Sequence, residues 1–129
     1  GTAREAALEL IKNGIRFDGV MCTTDTVAAG VVIAFRERGL RIPDDVMVTG
    51  FDDCVLASVC GPGITSVRQD VEGMARLAVE LLLKMIRGES PGQSYYRLPV
   101  SITVRGSTQG SPTRRDSTAD GKAVPFSHP

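Results

Sequence analysis

The sequence predicts an α/β fold built on a parallel sheet. Two observations carry this. Short apolar runs alternate with helical periodicities at the lengths typical of βαβ units. The first run, Phe17 to Cys22, is apolar almost without interruption after Gly19, the pattern of a strand covered on both faces.

The elements follow in order. Ala3, Ala6, Ala7, Leu10 and Ile11 recur at helical spacing, and Asn13-Gly14 stops that helix near residue 13. After the Phe17 strand, Thr23, Thr24 and Asp25 are positioned to cap a helix over about 26–38, which ends at Gly39. Arg41 to Asp45 is a surface turn, and Val46 to Gly50 is a second apolar strand. Residues 51–63 show no periodicity and are expected to be irregular. Ile64 to Arg68 is a third strand. Met74, Leu77, Ala78, Leu81, Leu82, Met85 and Ile86 then mark one stripe of a long amphipathic helix that stops at Gly88. A final strand falls within Tyr95 to Val104. From Gly106 onward most residues are Gly, Ser, Thr or Pro, so a disordered tail is expected over 109–129.

Composition narrows the function. The 129 residues are 42% hydrophobic and 23% charged, ordinary values for a globular chain. Fifteen basic and 15 acidic side chains cancel, so the basic footprint of a self-sufficient DNA-binding domain is missing. No apolar run approaches the length of a membrane span, and no membrane partner is expected. The single histidine, His128, lies in the polar tail, which leaves no basis for histidine-centred metal or triad chemistry. Cys22, Cys54 and Cys60 fit neither a zinc site nor a disulfide framework and read as thiols in a reducing compartment. No signal peptide is seen, and no cofactor is implied.

Ligands of open α/β sheets bind outside the carboxyl ends of the strands. Acids stand at two such ends: Thr24-Asp25 after the first strand and Phe51-Asp52-Asp53 after the second. A carboxylate there can accept hydrogen bonds from neighbouring hydroxyls or a base edge, and an adjacent aromatic can stack on a ring. Asp52 is read equally well as a ligand anchor or as an ordinary surface acid. Asp25 reads first as a helix cap and Asp53 first as a solvated loop residue. An enzyme using Asp25 and Asp52 as an acid/base pair has only their positions in its favour.

The motifs become specific when taken together. Ile42-Pro43-Asp44-Asp45-Val46-Met47-Val48-Thr49-Gly50-Phe51-Asp52-Asp53, then Pro62-Gly63-Ile64-Thr65-Ser66-Val67-Arg68-Gln69-Asp70, then Leu98-Pro99 through Arg105-Gly106-Ser107-Thr108, resemble successive signatures of the LacI/GalR family of bacterial transcription regulators. Phe17 to Val20 and Thr24-Asp25 with Ala28 and Gly30 fit its upstream pattern. The resemblance implies the type I periplasmic-binding-protein-like fold, two α/β lobes with a small effector between them, present here as a C-terminal fragment. Residues 1–68 and 97–108 would form the C-terminal lobe, and helix 71–87 would belong to the N-terminal lobe. Asp52 matches the effector-binding acid, Thr24 a polar effector contact, Met21 a position near the pocket and Gln69 a hinge or pocket residue. Phe51 and Asp25 complete the expected ligand set, and Arg105 matches a structural arginine.

The implied function is effector sensing and dimerisation in a cytoplasmic regulator. A sugar is the first expectation for the effector and a nucleobase the second. Operator DNA would be contacted only through a helix-turn-helix domain outside this sequence. The alternative is a periplasmic solute-binding protein of a sugar transport system.

Overall fold

The computed structural model describes residues 1–110; all but the first two residues of the expected tail, His128 among them, lie outside the described residues. The element order is α1 (Ala3–Lys12), β1 (Gly19–Met21), α2 (Asp25–Glu37), β2 (Met47–Phe51), α3 (Val55–Val59), β3 (Thr65–Gln69), α4 (Val71–Ile86) and β4 (Val100–Thr103). The strands form one sheet in the order β1-β2-β3-β4. β1, β2 and β3 run parallel, with Val20 opposite Val48 and Gly50 opposite Ser66. β4 pairs antiparallel to β3, with Val67 opposite Ile102. The expectation of a parallel sheet therefore holds for three strands, while the chain leaving β3 through α4 comes back in the opposite direction.

Local chemistry explains the helices. Thr2 caps α1 in a reciprocal capping box with Glu5, which satisfies backbone donors that have no helical partner. Thr24 caps α2 by accepting from the Val27 amide. Helix α2 buries Ala28, Ala29, Val31, Val32, Ala34 and Phe35, because it lies between the sheet and α1. The contact with α1 is close: a Cβ on Gly30 would stand 3.0 Å from the Ala3 Cβ. The core is completed by Ala7, Ile11, Val46, Val48, Ala57 and Ile64.

Three expectations change. Residues 51–63 are not wholly irregular, since Val55–Val59 forms a short helix. Five residues are too few for a readable periodicity, and no side chain caps this helix. Tertiary contacts hold it instead: Ala57 is fully buried, and its carbonyl accepts from the Ile64 amide at 2.7 Å. Of the Phe17 run, Gly19–Met21 forms the strand, with Asp18 and Cys22 bonded to β2 at its two ends, and Phe17 instead stacks on Phe35 at 5.4 Å between ring centres. Finally, β1 is not covered on both faces. Val20, Val48, Gly50 and Ser66 face the helices, whereas Met21 and Ile102 on the opposite face are 90% and 67% exposed. Helix α4 likewise has no buried residue among those described.

The chain past β4 is tied into the middle of the sheet. The Ser107 hydroxyl donates to the Val48 carbonyl at 2.6 Å and accepts from the Thr65 amide at 2.8 Å. Its backbone carbonyl accepts from the Val48 amide, and its amide donates to Gly63. Ser107 thus closes the gap where β2 and β3 separate. Ser107→Ala should orphan a buried donor and a buried acceptor at about 1–3 kcal/mol each. The expected loss of about 2–6 kcal/mol is read from the urea midpoint at unchanged slope.

Candidate functional site

The carboxyl ends of β1, β2 and β3 lie side by side. They bring Met21 and Thr24, Phe51 and Asp52, and Gln69 to one end of the sheet. The Gln69 side-chain amide donates to Asp52 Oδ1 at 2.8 Å, across a separation of 17 residues in sequence. Both side chains are solvent-accessible. The pair therefore presents a carboxylate and an amide together, able to accept from and donate to neighbouring hydroxyls of a ligand.

The backbone beneath this pair is unusual. Asp52 has φ of 98° and Asp53 has φ of 53°. Positive φ in two successive non-glycine residues is uncommon, and Asp tolerates it better than most side chains. Such conformations cost free energy and persist only where neighbours enforce them. Here the Asp52 amide donates to the Val67 carbonyl, and the Asp53 amide donates to the Ser66 hydroxyl. The turn sends the two adjacent acids in opposite directions.

Asp53 accordingly departs from the solvated loop residue expected from sequence. Its side chain is fully covered, with Arg68 Nε at 2.6 Å and Thr103 Oγ1 at 2.9 Å from Oδ2, and Arg105 Nη2 at 2.7 Å from Oδ1. Burial opposes ionisation of Asp53. The contacts with Arg105, Arg68 and Thr103 outweigh it and hold the carboxyl below its usual range.

Asp25 is also placed differently from the ligand set expected. It is 1% exposed, with Oδ1 accepting from the Ser66 hydroxyl at 2.6 Å and Oδ2 accepting from the Cys54 amide at 2.8 Å. Its carboxylate is committed inside the protein and is not presented to the strand ends. Nor does it cap α2, a task taken by Thr24. Glycine at position 50 is required by this arrangement, because a Cβ there would collide with Asp25 Oδ1. Thr24 retains partial exposure, and its hydroxyl is engaged by the Val27 amide at 3.3 Å. Met21 is open to solvent on the uncovered face of the sheet, and Phe51 is half-buried on that same face. Sequence reasoning carried Arg105 over as a structural residue but gave Arg68 no role. The only available signal for Arg68 was its place beside Gln69.

Among the described residues, no group of His, Cys, Asp and Glu could hold a metal ion. An open groove of about 450 Å³ lined by Arg36, Gly39 to Ile42, Gly61 and Pro62 lies at the amino ends of β2 and β3, away from Asp52. Burial pushes the Cys22 thiol up to about 11, so it remains protonated at neutral pH. No helix among the described residues is long and apolar enough to cross a membrane.

Comparison with known proteins gives concordant results. The periplasmic binding protein-like domain family matches residues 1–108. The HTH-type transcriptional regulator MalR of Streptomyces coelicolor is 40% identical over 96 residues, which are 74% of this chain and 28% of MalR. The crystal structure of the lac repressor dimer bound to operator and the anti-inducer ONPF superposes with a TM-score of 0.77 at 28% identity, covering 82% of this chain and 32% of that one. A LacI family transcriptional regulator from Arthrobacter sp. FB24 in complex with lactose gives 0.73 at 34% identity, covering 83% of this chain and 41% of that one. The chain thus spans less than half the length of each of these relatives.

The charge on Asp53 has a measurable signature. A carboxyl held below its unfolded value stabilises the fold above the ordinary aspartate range, and that contribution is lost as pH falls through the lower, folded value. The stability gap between wild type and Asp53→Asn should therefore be full near neutrality and narrow between about pH 5 and about pH 2 in urea titrations. A gap independent of pH would show that Asp53 carries no buried charge.

Proposed function

This chain belongs to the LacI/GalR family, of which it carries part of the periplasmic-binding-protein-like domain, and from that membership we propose that it is the effector-sensing part of a transcription regulator. The observation that carries the reading is the exposed Asp52–Gln69 pair at the carboxyl ends of the strands. The effector is a small polar molecule with adjacent hydroxyls, a sugar before a nucleobase, because paired carboxylate and amide groups match a diol. The lactose complex of the Arthrobacter regulator supports the sugar class. Phe51, Met21 and Thr24 flank the pair and form the remainder of the proposed contact set.

The unpartnered α4 fits a two-lobe design. Val71, Leu82, Met85 and Ile86 are all more than half exposed, an apolar surface that a single lobe leaves without a partner. We assign residues 1–68 and 97–108 to one lobe and α4 to the other, so that β3 and β4 cross between them. Effector held between the lobes shifts their relative orientation by its difference in affinity for the two arrangements. That shift alters operator binding by a helix-turn-helix domain outside this chain. The regulator acts as a homodimer in the cytoplasm, where its DNA is, and the operator-bound lac repressor dimer supports that assembly. A periplasmic solute-binding role is disfavoured by MalR and the Arthrobacter protein, both of which are transcriptional regulators.

The test is calorimetry on the intact regulator with lactose, maltose, D-ribose and hypoxanthine. At least one probe should bind. Asp52→Asn should weaken it by about 10- to 100-fold, the value of a hydrogen bond to a charged group. Unchanged affinity in Asp52→Asn would remove Asp52 from the site.

A further inference from the structure

Asp52 and Asp53 are adjacent in the turn, and Gln69 and Arg68 are adjacent on β3. Gln69 holds Asp52 at 2.8 Å, and Arg68 holds Asp53 at 2.6 Å. The turn is therefore cross-linked to β3 by two rungs, one on each side of it. The rungs differ in what they can do. The Asp52–Gln69 rung is exposed and neutral at one end, so a ligand can break it. The Asp53 rung is ionic, its carboxylate is covered, and it is reinforced by Thr103 on β4 and Arg105 just beyond β4.

The two rungs share one strained backbone. With φ of 98°, Asp52 lies outside the ordinary allowed regions for a side chain of its kind. Its neighbour's carboxylate is the group that anchors the turn from below. Arg105 is itself fixed, since its Nη1 donates to the Ile64 carbonyl at 2.8 Å and its amide donates to Thr65 Oγ1 at 2.8 Å. Beneath the turn, Ser66 passes the constraint on to buried Asp25.

We propose that Asp53 is a positioning residue for effector binding: its ion pairs with Arg68 and Arg105 hold the turn that presents Asp52 when the ligand displaces Gln69. The inference rests on the reading of Asp52 as an effector contact. It adds that this contact is set by the two strands flanking α4, because Arg68 lies on β3 and Arg105 follows β4. A change in how β3 and β4 cross would reach the ligand through Asp53, and ligand binding would reach the crossing by the same route.

A double-mutant cycle on the intact regulator separates this role from a general loss of stability. Affinity for the probe that binds wild type best, among lactose, maltose, D-ribose and hypoxanthine, is measured for Asp52→Asn, Asp53→Asn and the double variant. Each is titrated under conditions where circular dichroism shows it folded. Asp53→Asn should weaken binding about tenfold on its own, and the double variant should bind within about twofold of Asp52→Asn, since Asp53 has nothing left to position. If Asp53→Asn does not fold, the same cycle is run with Arg68→Gln, whose side chain is 62% exposed. It should lose about threefold alone and nothing further beside Asp52→Asn. Losses that multiply, or wild-type affinity in Asp53→Asn, would overturn the positioning role and leave the Asp52 assignment standing. Wild-type affinity in Asp52→Asn, or no binding of any probe to wild type, would overturn both.

Discussion

The hydroxyl of Ser66 ties the buried Asp25 carboxylate to the backbone of the turn that follows β2. It donates to Asp25 at the start of α2 and accepts from the Asp53 amide in the turn after β2. Asp25 in turn receives the Cys54 amide at the start of α3. The start of α2 and the turn leading into α3 are thereby fixed to β3 through Ser66 and Asp25. Buried polar groups are costly unless every partner is present. Here the partners are present, and the arrangement specifies a single geometry where an apolar contact would permit several. Gly50 belongs to the same constraint, because only a residue without Cβ leaves room for Asp25.

Much of this was legible in the sequence, and the exceptions share a cause. Helices α1, α2 and α4 were readable because their apolar spacing and stop signals are local. The strands were readable as short apolar runs between turns. The positions of Asp52 and Gln69 at strand ends were also legible. Their mutual hydrogen bond was not, because it depends on the register of β2 against β3. Asp52 and Asp53 are the sharpest case. Side by side in sequence they are the same residue, one expected at a ligand and the other in solvent. The positive φ values at both positions turn one outward and the other inward, toward two arginines. Asp25 was misread for a related reason, since a carboxylate at a helix start looks like a cap until Ser66 and Cys54 are seen beside it.

The exposed surfaces follow from the same partition. One face of the sheet is closed by α2, with α3 beside it and α1 packed behind it, whereas the other shows Met21, Ile102 and the half-buried Phe51. Helix α4 presents its apolar stripe without burying a residue. A chain with this much uncovered apolar surface is incomplete as a packing unit. That agrees with its share of MalR's length, 28%. The neutral overall charge is therefore a property of this part and says nothing about how its relatives grip DNA.

Ser107 sets a schedule for making this sheet. Its partners Val48 and Thr65 precede it by 59 and 42 residues. A ribosome delivers the chain from one end, at about 5–20 residues per second. The parallel strands therefore emerge several seconds before the residue that fills the gap between them. During that interval the β2 and β3 backbone at Val48 and Thr65 is open to other partners, and contacts of such long range form late. The final residues of the domain act as a latch on strands made long before, so the central sheet is finished only when almost the whole domain has been synthesised.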